Sequence, residues 1–241
     1  MYKQLSNLHP PSNSLQRLWR YFKYEHFVDL LSSETLYFVH LPTLSDGLEG
    51  ALTNRSRDRL FRHFYYQYGD AATAEGSIDS YEDHKNAFFV NCWHMNDGES
   101  YLMWKAYAER GLAIRTTYER ICISFDDFAG EVNGSVVEYV DFECEEFSIG
   151  NVYTAVVAKD KPYLDEREFR LLLWRPEFEN PHLGPPPAGT RVAVDLKRLV
   201  ERIYVSPKLR ELPQEGRKLL EDRGLSEAVA SSRVFERPGF D

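Results

Sequence analysis

Cysteine is scarce in this 241-residue chain: Cys92, Cys122 and Cys144 are far apart, odd in number and without C-x-x-C spacing. Such a set gives neither a disulfide framework nor a zinc ribbon, and it fits a reducing cytoplasm. Long apolar runs are missing too, so no segment approaches the roughly 20 residues a helix needs to cross a bilayer. The opening residues, Met1 to Ser14, lack the basic-then-apolar layout of a signal peptide. A cytoplasmic protein with no membrane partner is expected. Positive charge is in deficit, with 29 Lys and Arg against 38 Asp and Glu and a formal charge of −9. That excludes a general polyanion-binding surface and leaves room only for a local basic patch. No glycine-rich phosphate loop follows a strand-like run, and no G-x-S-x-G elbow is present.

What is present suffices for one substantial core, since 43% of the residues are apolar and 14% aromatic. Two prolines in His9 to Ser14 mark an extended lead-in over 1–14 with no core contribution, followed by a single globular domain over 15–241. Period-two runs predict strands at 15–22, 35–40, 87–93, 112–116, 166–174, 191–194 and 202–205, and another within 132–142. Helical spacing marks 25–31, 51–68, 99–109 and 208–223. Residues 70–83 read as the loosest interior segment, 118–126 fits either helix or strand, and 181–189 is a proline-rich loop. Residues 126–146 hold eight acids and no Lys or Arg, which predicts a solvated, mobile acidic face. Strands without regular alternation with helices point to an α+β fold rather than a doubly wound sheet.

Three groups of residues are candidates for chemistry. In Glu166-Arg167-Glu168-Phe169-Arg170 a strand period puts Glu166, Glu168 and Arg170 on one face. Either that face is a polar exterior, or it lines a cleft, because the following Leu171-Leu172-Leu173-Trp174 reads as a central strand and buried charges must be paired. Arg20 has the planar fork to hold a phosphate or a ribose hydroxyl, and Tyr21 and Tyr37 have rings on which an aromatic ligand stacks. The alternative is aromatics packing a sheet, with Arg20 paired to one of the glutamates. The third group, Cys92 to Ser100, reads structurally: Asn96 or Asp97 caps the next helix, and Trp93 and Trp104 belong to the core. His94 is solitary, so no metal is expected, and Cys92 and His94 are expected to point apart. Asp46-x-x-Glu49 suits helix initiation, with a substrate contact as the lesser reading. Arg55, Arg57, Arg59 and Arg62 form a possible phosphate-contacting stripe, the basis for an alternative nucleic-acid-processing role.

Taken in order, Trp19-Arg20-Tyr21, Leu36-Tyr37-Phe38, Asp46-Gly47-Leu48-Glu49-Gly50, Asn91-Cys92-Trp93-His94, Glu99 with Met103-Trp104, Glu166 to Arg170 and Val205-Ser206-Pro207 together carry a resemblance to a known family. Over nearly its whole length the chain resembles the bacterial domain-of-unknown-function family numbered 2971. A strand with Arg, a strand with an aromatic and a late strand with Glu-x-Glu also resemble the ADP-ribosyltransferase pattern. That resemblance implies a mixed or antiparallel central sheet with peripheral helices and NAD as substrate. It places Arg20 and Tyr37 in the NAD pocket, Glu168 as the catalytic carboxylate and Glu166 as activator of a protein or nucleic-acid acceptor. Arg170, on the same face, joins Arg20, Tyr21 and Tyr37 as a cofactor contact. The middle motif departs from the pattern, with Leu36-Tyr37-Phe38 where Ser-Thr-Ser is best known. The setting implied is bacterial conflict or phage defence. A non-catalytic module that binds a nucleotide or a protein in the same cleft is the alternative.

Overall fold

The computed structural model describes residues 1–147, 150–179, 184–209 and 211–234. Strand β1 (Arg17–Lys23) runs into helix α1 (Tyr24–Ser33), whose Phe27, Leu30 and Leu31 sit at helical spacing and are buried. Glu34 closes α1 in a left-handed conformation, and β2 (Thr35–His40) follows. Thr53 caps α2 (Asn54–Tyr68) by accepting from the Ser56 amide, and Gly69 ends it with positive φ. The next residue, Asp70, caps α3 (Ala71–Asp83). The segment expected to be loose is therefore the second arm of a helical hairpin. Its composition hid this because only Ala74 and Ile78 are buried, four residues apart on an otherwise polar surface.

Strand β3 (Phe88–Met95), helix α4 (Tyr101–Tyr107), strand β4 (Gly111–Thr117) and helix α5 (Tyr118–Ser124) come next. Ser100 caps α4, in place of Asn96 or Asp97. Beyond α5 lie β5 (Asn133–Val136), β6 (Glu138–Val140), α6 (Tyr153–Val156), β7 (Ala158–Asp160) and β8 (Glu168–Trp174). The chain closes with β9 (Gly189–Ala193), α7 (Leu196–Leu199), β10 (Arg202–Val205), α8 (Gln214–Asp222) and β11 (Val229–Ser231). Residues 181–183 of the proline-rich loop and residue 210 of the expected closing helix lie outside the described residues. The stretch 126–146 is not a free acidic face. Val132, Asn133 and Ser135 are buried, and Asp126, Glu131, Glu145 and Glu146 pair with Arg198, Lys3, Lys161 and Arg59.

The nine-stranded sheet has the order β11-β10-β4-β1-β3-β2-β9, with β8 on the other edge of β3 and β5 beyond β8. Its pairings are antiparallel except β10–β11, and a parallel β6–β7 ribbon stands apart. The protein is a single α+β domain with a mixed, mostly antiparallel sheet. The larger core lies between one sheet face and the helices α1, α5, α7 and α8, through Leu18, Phe27, Leu31, Ile121, Phe169, Leu199 and Leu220. Each such side chain contributes roughly 1.5–3 kcal/mol of transfer free energy. On the other face lie Trp19, Tyr21 and Trp104, and a separate cluster beneath the α2–α3 hairpin. The lead-in joins the core, contrary to expectation: Leu8 is buried and the Lys3 amide donates to the Val132 carbonyl. No helix among the described residues is long and apolar enough to cross a membrane.

Candidate functional site

The site arises from a split in the sheet. Strand β8 pairs with β3 from Phe88 to His94 and occupies one edge of β3 completely. On the opposite edge β1 pairs only at His94 and Met95, whereas β2 pairs only at Phe89 and Val90. Between these contacts, on that edge, no strand among the described residues pairs with Asn91 to Trp93, so β1 and β2 part there. Buried backbone groups at such a gap need other partners: Asn91 Nδ2 donates to the Tyr37 carbonyl at 2.9 Å, and Arg20 Nη1 donates to the Cys92 carbonyl at 2.6 Å. A cavity of about 270 Å³ opens at the split. Strand parity groups Arg20 with Leu18 and Phe22 on the core side, yet Arg20 lines the cavity. Its guanidinium therefore reaches the cavity at the level of the strand backbones, 5.5 Å from the Phe22 ring centroid.

A buried ion cluster forms one wall. Arg170, 0% exposed, donates from Nε to Glu168 Oε1 at 2.7 Å and from Nη2 to Glu168 Oε2 at 3.1 Å. It also donates to Glu49 Oε2 and Oε1 at 2.8 and 3.2 Å and to the Val156 carbonyl at 2.6 Å. A guanidinium has five N–H donors, and all five are accounted for. Lys159 Nζ stands 3.1 Å from Glu49, 2.7 Å from Glu166 and 3.7 Å from Glu168, and 4.7 Å from the Tyr163 ring centroid. Burial by itself raises the Glu168 pKa. Arg170, Lys159 and a hydrogen bond from the Cys92 thiol outweigh it and hold the carboxyl down at about 2. The Cys92 thiol is pushed up by burial and by Glu168, which makes it a hydrogen-bond donor and not a nucleophile. Three carboxylates against two cations leave the wall with one negative charge in excess.

The remaining walls are aromatic and polar, with Trp19, Tyr21, Tyr107, Tyr163, Asp46 and His94 among them. His94 pairs across the β3–β8 ladder with Glu168 and is 4% exposed. Its Nδ1 lies 2.6 Å from the Glu166 carbonyl. A carbonyl only accepts, so Nδ1 carries the hydrogen. Burial lowers the His94 pKa, and the nearby Arg167 lowers it further against the pull of the Glu166 carbonyl. Tyr107 donates to Glu166 Oε1 at 3.3 Å, and its hydroxyl pKa is pushed up to about 12 by burial and by Glu166.

No family model, curated protein or solved structure matches this chain.

Of the residues singled out in the sequence, Arg20, Tyr21, Glu166 and Glu168 line this one cavity. Glu166 arrives by a different route from the one expected. It ends a 3₁₀ turn, Lys161–Glu166, and Arg167 at φ 42° breaks the backbone before β8 begins, so strand period does not place it. Arg170 lies behind the wall, and with no donor left it is not a cofactor contact; it holds Glu49 and Glu168 in place. Tyr37 is 41% exposed and does not line the cavity, although it shares a strand face with Val39, which does. A Cβ on Gly189 of neighbouring β9 would touch its ring, so the ring lies over the sheet edge and not over the split. Cys92 and His94, expected to point apart, both line the cavity because a spacing of two repeats the same strand face. Arg57 pairs with Glu75, Asp79 and Glu82, and Arg59 with Glu146, so half of the arginine stripe faces carboxylates and offers no phosphate surface.

Sequence reasoning missed Lys159 as a site residue and held Glu49 only as the lesser of two readings. Asp46-x-x-Glu49 was visible as a turn, but helix α2 begins only after Thr53, and Glu49 turns inward instead, 4% exposed against Arg170. Lys159 carries no local signal, because its three partners come from two other segments of the chain.

Proposed function

We propose that this cavity is the reaction site of a cytoplasmic, ADP-ribosyltransferase-like enzyme that cleaves the nicotinamide–ribose bond of NAD and passes ADP-ribose to a protein or nucleic-acid acceptor. The observation that carries the reading is the meeting of Arg20 with Glu166 and Glu168 on one cavity, although 146 residues separate Arg20 from Glu166 in the chain. Loss of nicotinamide develops oxocarbenium-like positive charge on the ribose, as glycoside cleavage does. A fixed anion in a water-poor wall stabilises that charge better than water does. Glu168 meets the requirement of permanence, since a pKa near 2 keeps it ionised at every physiological pH. Glu166, with one oxygen on Lys159 and the other on Tyr107, orients the acceptor. Among the described residues Arg20 has one hydrogen bond, to a carbonyl, leaving four N–H donors for the pyrophosphate. At about 270 Å³ the cavity is at the lower edge of the ~300–1,000 Å³ range of ligand pockets. It takes one mononucleotide half of NAD, and the other half lies at the mouth.

A second reading has its own support: Arg170 grips both oxygens of Glu168, an arrangement that also suits a rigid recognition cleft with no turnover. Labelled NAD with purified protein and bacterial lysate tests the first reading through release of nicotinamide and transfer of label. Glu168→Gln separates the two. An enzyme loses about 10²–10³ in rate with NAD affinity within about threefold, whereas a binding module has no turnover to lose and changes only in affinity. No nicotinamide release and no NAD binding by the wild type refute the proposal.

A further inference from the structure

A second hollow, of about 390 Å³, opens beside the cavity, with Lys23, Glu25, Lys105, Tyr107, Glu109 and Arg110 in its lining. Two elements run from one to the other. On β1, Tyr21 lines the cavity and Lys23 the hollow; a spacing of two keeps them on one strand face, roughly 7 Å apart along the strand. On α4, Met103 lines the cavity and Lys105 the hollow, while Tyr107 lines both. Tyr107 is therefore the shared wall. Its ring is 47% exposed and its hydroxyl donates to Glu166.

The cations of the hollow are left open. Lys23, Lys105 and Arg110 are exposed, and among the described residues none of the three forms a hydrogen bond or an ion pair. Of the two carboxylates beside them, Glu109 is taken by Lys208, the main reason its carboxyl sits below the usual range; Lys105 and Arg110 act on it from beyond ion-pair distance. Glu25 stands in the first turn of α1, where the helix dipole favours an acid. The dipole of α4 likewise accounts for Lys105 in its last turn, but for neither Lys23 nor Arg110. Counting Lys208, four cations face two carboxylates here, in a chain whose formal charge is −9. A local surplus of the scarcer sign draws in an anion.

The neighbouring rings narrow the class of anion. Among the aromatic residues of the cavity wall, Tyr107 and Tyr163 are the accessible ones, 47% and 37% exposed. Open rings beside a cationic track are the combination that holds single-stranded nucleic acid, with bases stacked on the rings and phosphates on the cations. An acidic peptide uses the cations and leaves the rings without a stacking partner. We propose that Lys23, Lys105 and Arg110 hold backbone phosphates of a single-stranded nucleic acid in this hollow, with one base turned onto Tyr107 toward the cavity. That this nucleic acid is the acceptor of ADP-ribose rests on the function proposed above; the phosphate contacts do not.

Fluorescence anisotropy of labelled single-stranded DNA and RNA of about 12 nucleotides, without NAD, reads the contacts. With three phosphates engaged, log affinity is expected to fall against log salt with a slope of about −2, a loss of roughly 15- to 20-fold between about 50 and 200 mM. Lys23→Gln, Lys105→Gln and Arg110→Gln each flatten the slope by about 0.7, and Tyr107→Leu weakens binding about fivefold or more. Lys197→Gln, an equal change of charge on α7 across the sheet, leaves the slope as it is. No binding at the lowest salt, a slope that the three hollow substitutions do not change, or equally tight binding of a poly-glutamate peptide overturns the proposal. With NAD and lysate added, label on the oligonucleotide supports its role as acceptor, and label on protein alone refutes that role. Oligonucleotide binding without any release of nicotinamide leaves the phosphate contacts standing, while the enzymatic reading falls.

Discussion

Replacing Arg170 by Met removes five hydrogen bonds and one positive charge from a position with no solvent exposure. The loss can be gauged in two ways. Glu168 is held at about 2, although burial raises it, against about 4.3 in an unfolded chain. That depression corresponds to about 3 kcal/mol, present at every pH above 4 and lost as pH falls toward 2. Breaking a buried ion pair by deleting one partner costs about 3–5 kcal/mol. The first figure is shared among Arg170, Lys159 and Cys92; the second corresponds, for a chain of this length, to a fall in Tm of roughly 6–20 °C. The variant leaves Glu49 and Glu168 facing each other with Lys159 as the one cation, among the described residues, that still pairs with them, so burial pushes the Glu168 pKa up through the mildly acid range. A group raised above its unfolded pKa loses stability as pH rises, so the variant's deficit is largest at pH 7 and shrinks toward pH 4, where wild-type Glu168 is still ionised. Urea unfolding of both proteins at pH 7, 5.5 and 4 reads the difference, in which acids unaffected by the substitution cancel. A deficit below about 1 kcal/mol at pH 7, or one that does not change with pH, refutes the account of the cluster.

Three other outcomes follow from the same geometry. If NAD is the ligand as proposed, Arg20→Ala weakens its binding about tenfold or more through loss of a charge-assisted contact, while Tyr37→Ala leaves it within twofold, because the Tyr37 ring does not line the cavity; calorimetry that ranks the two the other way rejects this placement. Gly111→Ala destabilises severely, since its Cβ would lie 1.9 Å from the Phe22 carbonyl oxygen in the β1–β4 ladder. A Tm within 2 °C of wild type would contradict that packing. Asp70→Ala removes the cap of α3, where its side chain accepts from Thr73 N at 2.7 Å and from the Thr73 hydroxyl at 2.6 Å. A lower Tm than wild type is expected and is read by thermal unfolding; an unchanged Tm rejects the cap.

Local pattern carried the reading of the sequence far along the chain and stopped at the same kind of place each time. Strands such as 35–40 and 202–205 were legible to the residue because a period of two is written into consecutive positions. Helix α3 was not, since its two buried residues offer almost no apolar stripe and its start depends on Asp70 following the Gly69 terminator of α2. Glu166 and Glu168 were found together but for a partly wrong reason, as the left-handed Arg167 lies between them.

By itself the sequence determined an α+β chain and brought forward Arg20, Glu166 and Glu168, because propensity, period and the cost of burying charge act on neighbouring positions. Only the tertiary structure decided that β1 and β2 share one edge of β3 and part at Asn91 to Trp93. It also decided that Glu49 and Lys159 complete the cluster around Arg170 and Glu168, and that Cys92 and His94 share the cavity wall. Which charges meet is set by the register of strands far apart in the chain, and a buried charge accepts whichever partner that register brings within reach.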